Sequence, residues 1–148
     1  MLKPACIALT TIALVSVFCQ AEPSPKAAEY AAAVRVKPLL QATTTASGQP
    51  SQYPKTDRPE VRMLMVEIPP GTETGWHKHP SHCYAYVVSG AVTVELENGK
   101  STTIQAGQAY AEVFDTWHNG KNSGTEPCKI LMVVNGEEGV PISQMRQK

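Results

Sequence analysis

The chain has 148 residues, a length that suits one domain with its own core and removes the need for a disulfide scaffold. Lys+Arg and Asp+Glu each total 13, so the formal net charge is zero, and the basic residues are scattered. That distribution excludes the basic stripe of a nucleic-acid binder, but not an acidic substrate, which one local Arg or a metal can hold.

The first element is a segment with an export pattern. Lys3 supplies a positive charge, Ala5 to Phe18 is an apolar run broken only by Thr10, Thr11 and Ser16, and Cys19-Gln20-Ala21 places small residues before a cut after Ala21. Charge, apolar stretch and small-x-small in that order read as a secretory signal peptide over residues 1–21. The run is short for a membrane span, and Phe18 before Cys19 does not suit a lipoprotein. The expected location is periplasmic or secreted, with no membrane association after cleavage. Cys6 and Cys19 leave with the signal, and Cys83 and Cys128 remain in an oxidising compartment. Their contexts differ, which favours two unpaired thiols.

Residues 22–58 read as a tail and loop, rich in Ala, Pro, Ser and Thr. Lys26 to Val34 has high helix propensity without an apolar stripe, and Pro38 to Thr45 is a candidate first edge strand. Strand character begins near residue 59 and runs to 137. Val61 to Ile68, a short extended Gly75 to His79, Cys83 to Val88, Ala91 to Glu97, Lys100 to Gln105, Ala109 to Phe114 and Pro127 to Val134 are separated by Gly- and Pro-containing turns. Asn98-Gly99 is a hairpin signal. Short strands at this spacing predict an all-β sandwich or barrel, with residues 138–148 as a C-terminal tail. Strand parity places Cys83, Ala85 and Val87 on the interior face and Tyr84, Tyr86 and Val88 outside. Met63, Met65 and Tyr110 are expected to line an apolar pocket or fill the core.

The histidines carry the chemistry. The chain has four, His77, His79, His82 and His118. In Trp76-His77-Lys78-His79 the i, i+2 spacing puts two imidazoles on one face of a strand, the start of a metal site. A third ligand must come from afar, and His118 is the distant histidine. An isolated H-x-H pair is as readily a pair of ordinary polar residues.

Two motifs frame these residues. Gly71, five residues, His77-x-His79, three residues, position 83, six residues and Gly90 resemble the first cupin motif, G-x5-H-x-H-x3-E-x6-G. Gly107, His118 and Asn122 resemble the second, G-x5-P-x-G-x2-H-x3-N. The resemblance covers roughly Val61 to Val134. It implies a double-stranded β-helix, a jelly-roll barrel often paired as a homodimer, and one divalent transition metal on His77, His79 and His118. Spacing does not distinguish Fe, Mn, Ni, Cu and Zn.

The departures are informative. The family's metal-binding Glu aligns with Cys83, and the second motif's Pro and Gly align with Val113 and Asp115. Four candidates fill the vacated ligand position. Cys83 stands at the matched place and offers a thiolate, although it reads almost equally well as a small buried hydrophobe. Water leaves an open coordination site of the catalytic kind. His82 can swing in after Pro80-Ser81. Glu112, on the strand leading to His118, is the nearest acid, with an ion-pair role as the alternative. Asn122 reads best as a turn residue, and Trp76 and Trp117, each preceding a histidine, either wall the pocket or simply pack. The resemblance implies a metal-dependent enzyme acting on a small organic molecule, with a dioxygenase as the first reading, a non-catalytic module for a small ligand or metal as the second, and a structural barrel whose histidines bind no metal as the third. A fold does not decide between them.

Overall fold

A computed structural model of the chain describes residues 34–147. The predicted signal segment, and the helix-prone stretch from Lys26 up to residue 33, lie outside the described residues. Among the described residues there is no helix, and nine strands form two antiparallel sheets. The strands are β1 (Pro59–Ile68), β2 (His77–Lys78), β3 (His82–Ser89), β4 (Ala91–Leu96), β5 (Ser101–Gln105), β6 (Ala109–Ala111), β7 (His118–Lys121), β8 (Cys128–Glu137) and β9 (Gln144–Met145). One sheet runs β1-β8-β3-β6 and the other β5-β4-β7-β2-β9. This is the cupin-like double-stranded β-helix.

The core lies between the sheets. Ile68, Ala85, Val87, Val92, Val94, Ile104, Cys128 and Ile130 pack as one buried cluster, with Tyr110 among them. Cys83, Met132 and Val134 form a second, backed by Leu64, Val66 and Ile142. The parity expected for β3 holds: Cys83, Ala85 and Val87 are buried, and Tyr84, Tyr86 and Val88 lie on the other face.

Met63 and Met65 are a correction. They are 67% and 60% exposed and line no interior pocket. Nearly every residue of β1 from Val61 to Val66 is apolar, so hydrophobicity alone does not set its parity. Pairing with β8 does, by turning Leu64, Val66 and Ile68 inward. On the outer face Met63 and Tyr84 flank Val133, and Met65 and Tyr86 flank Leu131.

Two segments differ from their expected form. Pro38 to Thr45 is not a strand. Instead a turn closed by a Thr44–Pro50 bridge docks beside β6, where Ala46 N donates to Ala111 O at 2.8 Å and the Gln49 amide hydrogen-bonds both N and O of Phe114. The C-terminal residues, expected as a tail, fold back. β9 pairs with β2, and Arg146 N donates to Trp76 O at 2.9 Å. A sequence with no strand period gives no sign of a strand two residues long.

Candidate metal centre

His77 on β2 is the direct cross-strand partner of His118 on β7. That pairing brings together two residues 41 positions apart in sequence and sets their side chains on one face. His79 follows β2 by one residue and returns to the same face. The three ring centroids are 4.3 to 5.0 Å apart, and one ligand nitrogen from each lies within 4.8 Å of the others. All three residues are buried, His118 to 2% exposure.

Each ring is held by a backbone carbonyl. His77 Nδ1 donates to Gly75 O at 2.8 Å, His118 Nδ1 to Thr116 O at 2.8 Å, and His79 Nδ1 to Ile142 O at 2.9 Å. A carbonyl only accepts, so Nδ1 carries a proton in all three rings, and Nε2 is the nitrogen that offers a lone pair when the ring is neutral. Carbonyl-fixed tautomers of this kind are the usual support of metal-binding histidines. Burial lowers the pKa of His77 and of His118 from 6.5 to about 4 in each case, so both rings are neutral near pH 7. His79 Nε2 is buried with no hydrogen-bond partner. An Nε2 orphaned beside two neutral imidazoles is the donor set a transition metal needs.

The cavity at this point has a volume of about 40 Å³ and is lined by the three histidines, Glu112, Tyr110, Thr74 and apolar side chains including Val66, Ile68 and Met132. Glu112 Oε1 lies 4.0 Å from His118 Nε2, and both side chains are buried. Burial raises the Glu112 pKa, with the nearby histidines acting against the shift. Glu112 Oε1 accepts from Val113 N at 3.2 Å.

Cys83 and His82 do not join the cluster. Cys83 is 2% exposed, packs with Met132 and Val134, and directs its thiol to Ser81 O at 3.5 Å. Burial, and secondarily Glu112, pushes the thiol pKa up to about 12. Cys83 and Cys128 are not paired. His82 stacks on Phe114 with ring centroids 4.2 Å apart, facing a different surface cavity that Tyr53, Lys55 and Glu137 also line.

Other residues settle into supporting roles. Asn122 holds the loop before β8 by donating to Ile68 O and Glu126 O at 2.9 and 2.8 Å. Trp76 and Trp117 do not line the cavity. Arg146 lies over both rings, at 5.9 and 5.1 Å from their centroids, and pairs with Glu97. Asp115, in the place of the motif's Gly, takes the left-handed conformation at φ 43°. Asp tolerates that region better than most residues. Its N donates to His79 O at 3.0 Å, and its carboxylate pairs with Lys78 at 2.6 Å. The Ile142 carbonyl is a functional group that sequence reasoning misses. The apolar residues Val140 and Ile142, within a segment expected as a tail, are the available signal.

Residues 64–134 match the family model described as Cupin domain. Solved structures agree in fold. A Klebsiella pneumoniae subsp. pneumoniae MGH 78578 protein with a double-stranded β-helix domain is 24% identical at TM-score 0.51, over 64% of this chain and 90% of that one. A Lactobacillus farciminis oxalate decarboxylase–formate complex is 27% identical at TM-score 0.51, over 57% of this chain and 26% of that one. A structure of the DMSP lyases RdDddP and RnDddQII is 25% identical at TM-score 0.50, over 59% of this chain. This chain spans 44% of the DMSP lyase chain and about a quarter of the decarboxylase. No curated protein matches.

Proposed function

We propose that the protein is an exported single-barrel cupin that holds one divalent transition metal on His77, His79 and His118. The metal serves an enzyme acting on a small organic molecule, with dioxygenase or related chemistry. The observation that carries this reading is the orphaned His79 Nε2, buried beside two further imidazoles whose Nδ1 protons are tied to carbonyls. A metal bound there supplies Lewis acidity toward an oxygen or sulfur donor. The chain's own residues fix the three rings, exclude bulk water with Val66, Ile68 and Met132, and limit the size of what enters. A cavity of about 40 Å³ admits a few water-sized groups, so the substrate presents a small donor group such as a carboxylate or enolate. The oxalate decarboxylase–formate complex among the structural relatives supports a small carboxylate.

Metal analysis of the protein purified from its natural compartment tests the site. One equivalent of a transition metal is expected, and a content below about one-tenth overturns the reading. Anaerobic addition of carboxylates, phenols and thiols to the iron-loaded protein, followed by oxygen, tests the reaction. No spectral change and no product sink the enzyme reading. The same small cavity also favours a second reading, a module that holds metal or a small ligand without turnover. Tight binding with the ligand recovered unchanged supports that alternative.

Export rests on Lys3, the apolar run and Cys19-Gln20-Ala21, and predicts a mature N-terminus at Glu22, read by N-terminal sequencing. Pairing of two copies rests on the outward face of Met63, Met65, Tyr84, Tyr86 and Val133. A dimeric mass in light scattering is expected, and Met65→Asp shifts it to the monomer.

A further inference from the structure

The first motif's acid is missing at position 83, and a buried acid stands directly across from that position. Glu112 N donates to Cys83 O at 2.9 Å, continuing the antiparallel register in which Tyr84 faces Ala111. Residues paired in this way point to the same side of the sheet, with Cβ atoms about 5 Å apart. A Glu at 112 therefore starts one strand away from where a Glu at 83 would start, and its carboxylate comes to 4.0 Å from His118 Nε2, at the edge of the group formed by the three histidine nitrogens. We infer that Glu112 is the fourth ligand of the metal, supplied from the end of β6 in place of the acid that the cupin motif carries on β3. This inference rests on the three-histidine reading above.

Three observations converge on it. Glu112 lines the same cavity as the three histidines and approaches His118 Nε2 to 4.0 Å, whereas Cys83 does not line it. No Lys or Arg lines that cavity to balance a carboxylate that is 5% exposed. The Val113 amide is one polar contact, and the Tyr110 hydroxyl lies beside it. A buried carboxylate without a counter-charge is costly, and a dication at the centre of the histidine cluster supplies one. The converse also holds: three neutral imidazoles leave a dication at its full charge, and one carboxylate halves it. The Cys83 thiol, turned to Ser81 O and packed against Val134 and Met132, supplies no such charge.

The test uses the full chain, depleted of metal and titrated with Co(II). Dissociation constant and visible absorption are the readouts, and circular dichroism checks folding. The wild type is expected to bind one Co(II). Glu112→Gln, nearly isosteric, is expected to weaken binding at least about tenfold, the lower end for losing even an outer-sphere partner. It also changes the absorption envelope of the cobalt, because one oxygen donor is lost. Glu112→Asp, which keeps the charge but withdraws it by one methylene, weakens binding too, and it carries the test if Glu112→Gln does not fold. Cys83→Ala changes neither readout. Unchanged affinity and spectrum in folded Glu112→Gln overturn the assignment. A sulfur-to-cobalt charge-transfer band that vanishes in Cys83→Ala also overturns it, and places the thiolate there instead. A wild type that binds no cobalt overturns the three-histidine reading itself, a result separable from the failure of Glu112 alone.

Discussion

The two sheets of the barrel are built from very different strands. In the sheet β1-β8-β3-β6, β1 and β8 run ten residues each and β3 runs eight, with ladders unbroken over most of their length. In the opposite sheet β2 and β9 are two residues long and β7 is four. The long strands, with β4 and β5 of the opposite sheet, supply the apolar wall, and the shortest ones hold His77 and His118. A long strand is positioned by its own ladder and by alternating burial. A two-residue strand has almost no ladder, so outside groups place it: Gly120 N on the Thr74 hydroxyl, Arg146 N on Trp76 O, and Ile142 O on His79. The histidines thus sit with the sheet whose geometry is borrowed from its neighbours, while Glu112 reaches the same cavity from the end of β6 in the other.

The sharpest separation of the two sheets comes from His118→Ala and His77→Ala. Each removes a donor while leaving the wall intact, so uptake of Co(II) or Zn(II) is expected to be lost with the far-ultraviolet dichroism of the β fold retained. Retention of stoichiometric metal in either variant breaks the division.

Acid should weaken the histidine side of the metal-free protein. Burial lowers His77 and His118 to about 4, so between pH 6.5 and 4 the unfolded chain takes up protons that the folded one refuses. Stability therefore falls as pH drops through that window, by several kcal/mol for the two rings together at about 1.4 kcal/mol per unit. Glu112 works the other way, because its raised pKa makes the folded state hold a proton that the unfolded state has lost above about 4.5. Two histidines outnumber one carboxyl, so the net slope keeps its sign. Urea midpoints in chelator at pH 7 and pH 5 check it, and a higher midpoint at pH 5 contradicts it.

Ile130→Ala tests the wall. Ile130 is 3% exposed in the main cluster, and truncating such a residue costs about 2–5 kcal/mol. The denaturation midpoint should fall, while the cobalt spectrum of the folded fraction stays that of the wild type.

Removal of residues 141–148 tests the borrowed geometry, since it deletes the Ile142 carbonyl and β9 together. Metal affinity should drop about 10–100-fold, the range for losing an outer partner of a metal histidine. Binding equal to the wild type shows that β2 needs no strap.

The same contrast explains what is legible in the amino-acid sequence. β3 alternates small and aromatic residues, so strand parity alone identifies its interior face. β1 is apolar on both faces, and parity misplaces Met63 and Met65 for that reason. His77 and His79 announce a shared face by spacing, and the second motif's frame points to His118. The cross-strand register that joins His77 to His118 leaves no local trace, and neither does a carbonyl partner for His79 from residue 142. Such contacts are set by tertiary closure, and single-residue chemistry does not encode them.

Cys83→Ala is the smallest perturbation, and its lack of effect on the metal has a physical reason. Alignment by motif puts Cys83 at a ligand position, but its thiol faces Ser81 O and packs in the second apolar cluster. Burial pushes its pKa up to about 12, so at neutral pH it is a thiol, not the thiolate a metal binds. A metal close enough to bind it would reverse that shift, but the cavity that holds the three histidines is not lined by Cys83. Replacement by Ala removes one buried sulfur beside Val134 and should lower the denaturation midpoint modestly without changing cobalt affinity. A loss of affinity larger than the loss of stability explains would mean that position 83 still reaches the metal, as the motif has it.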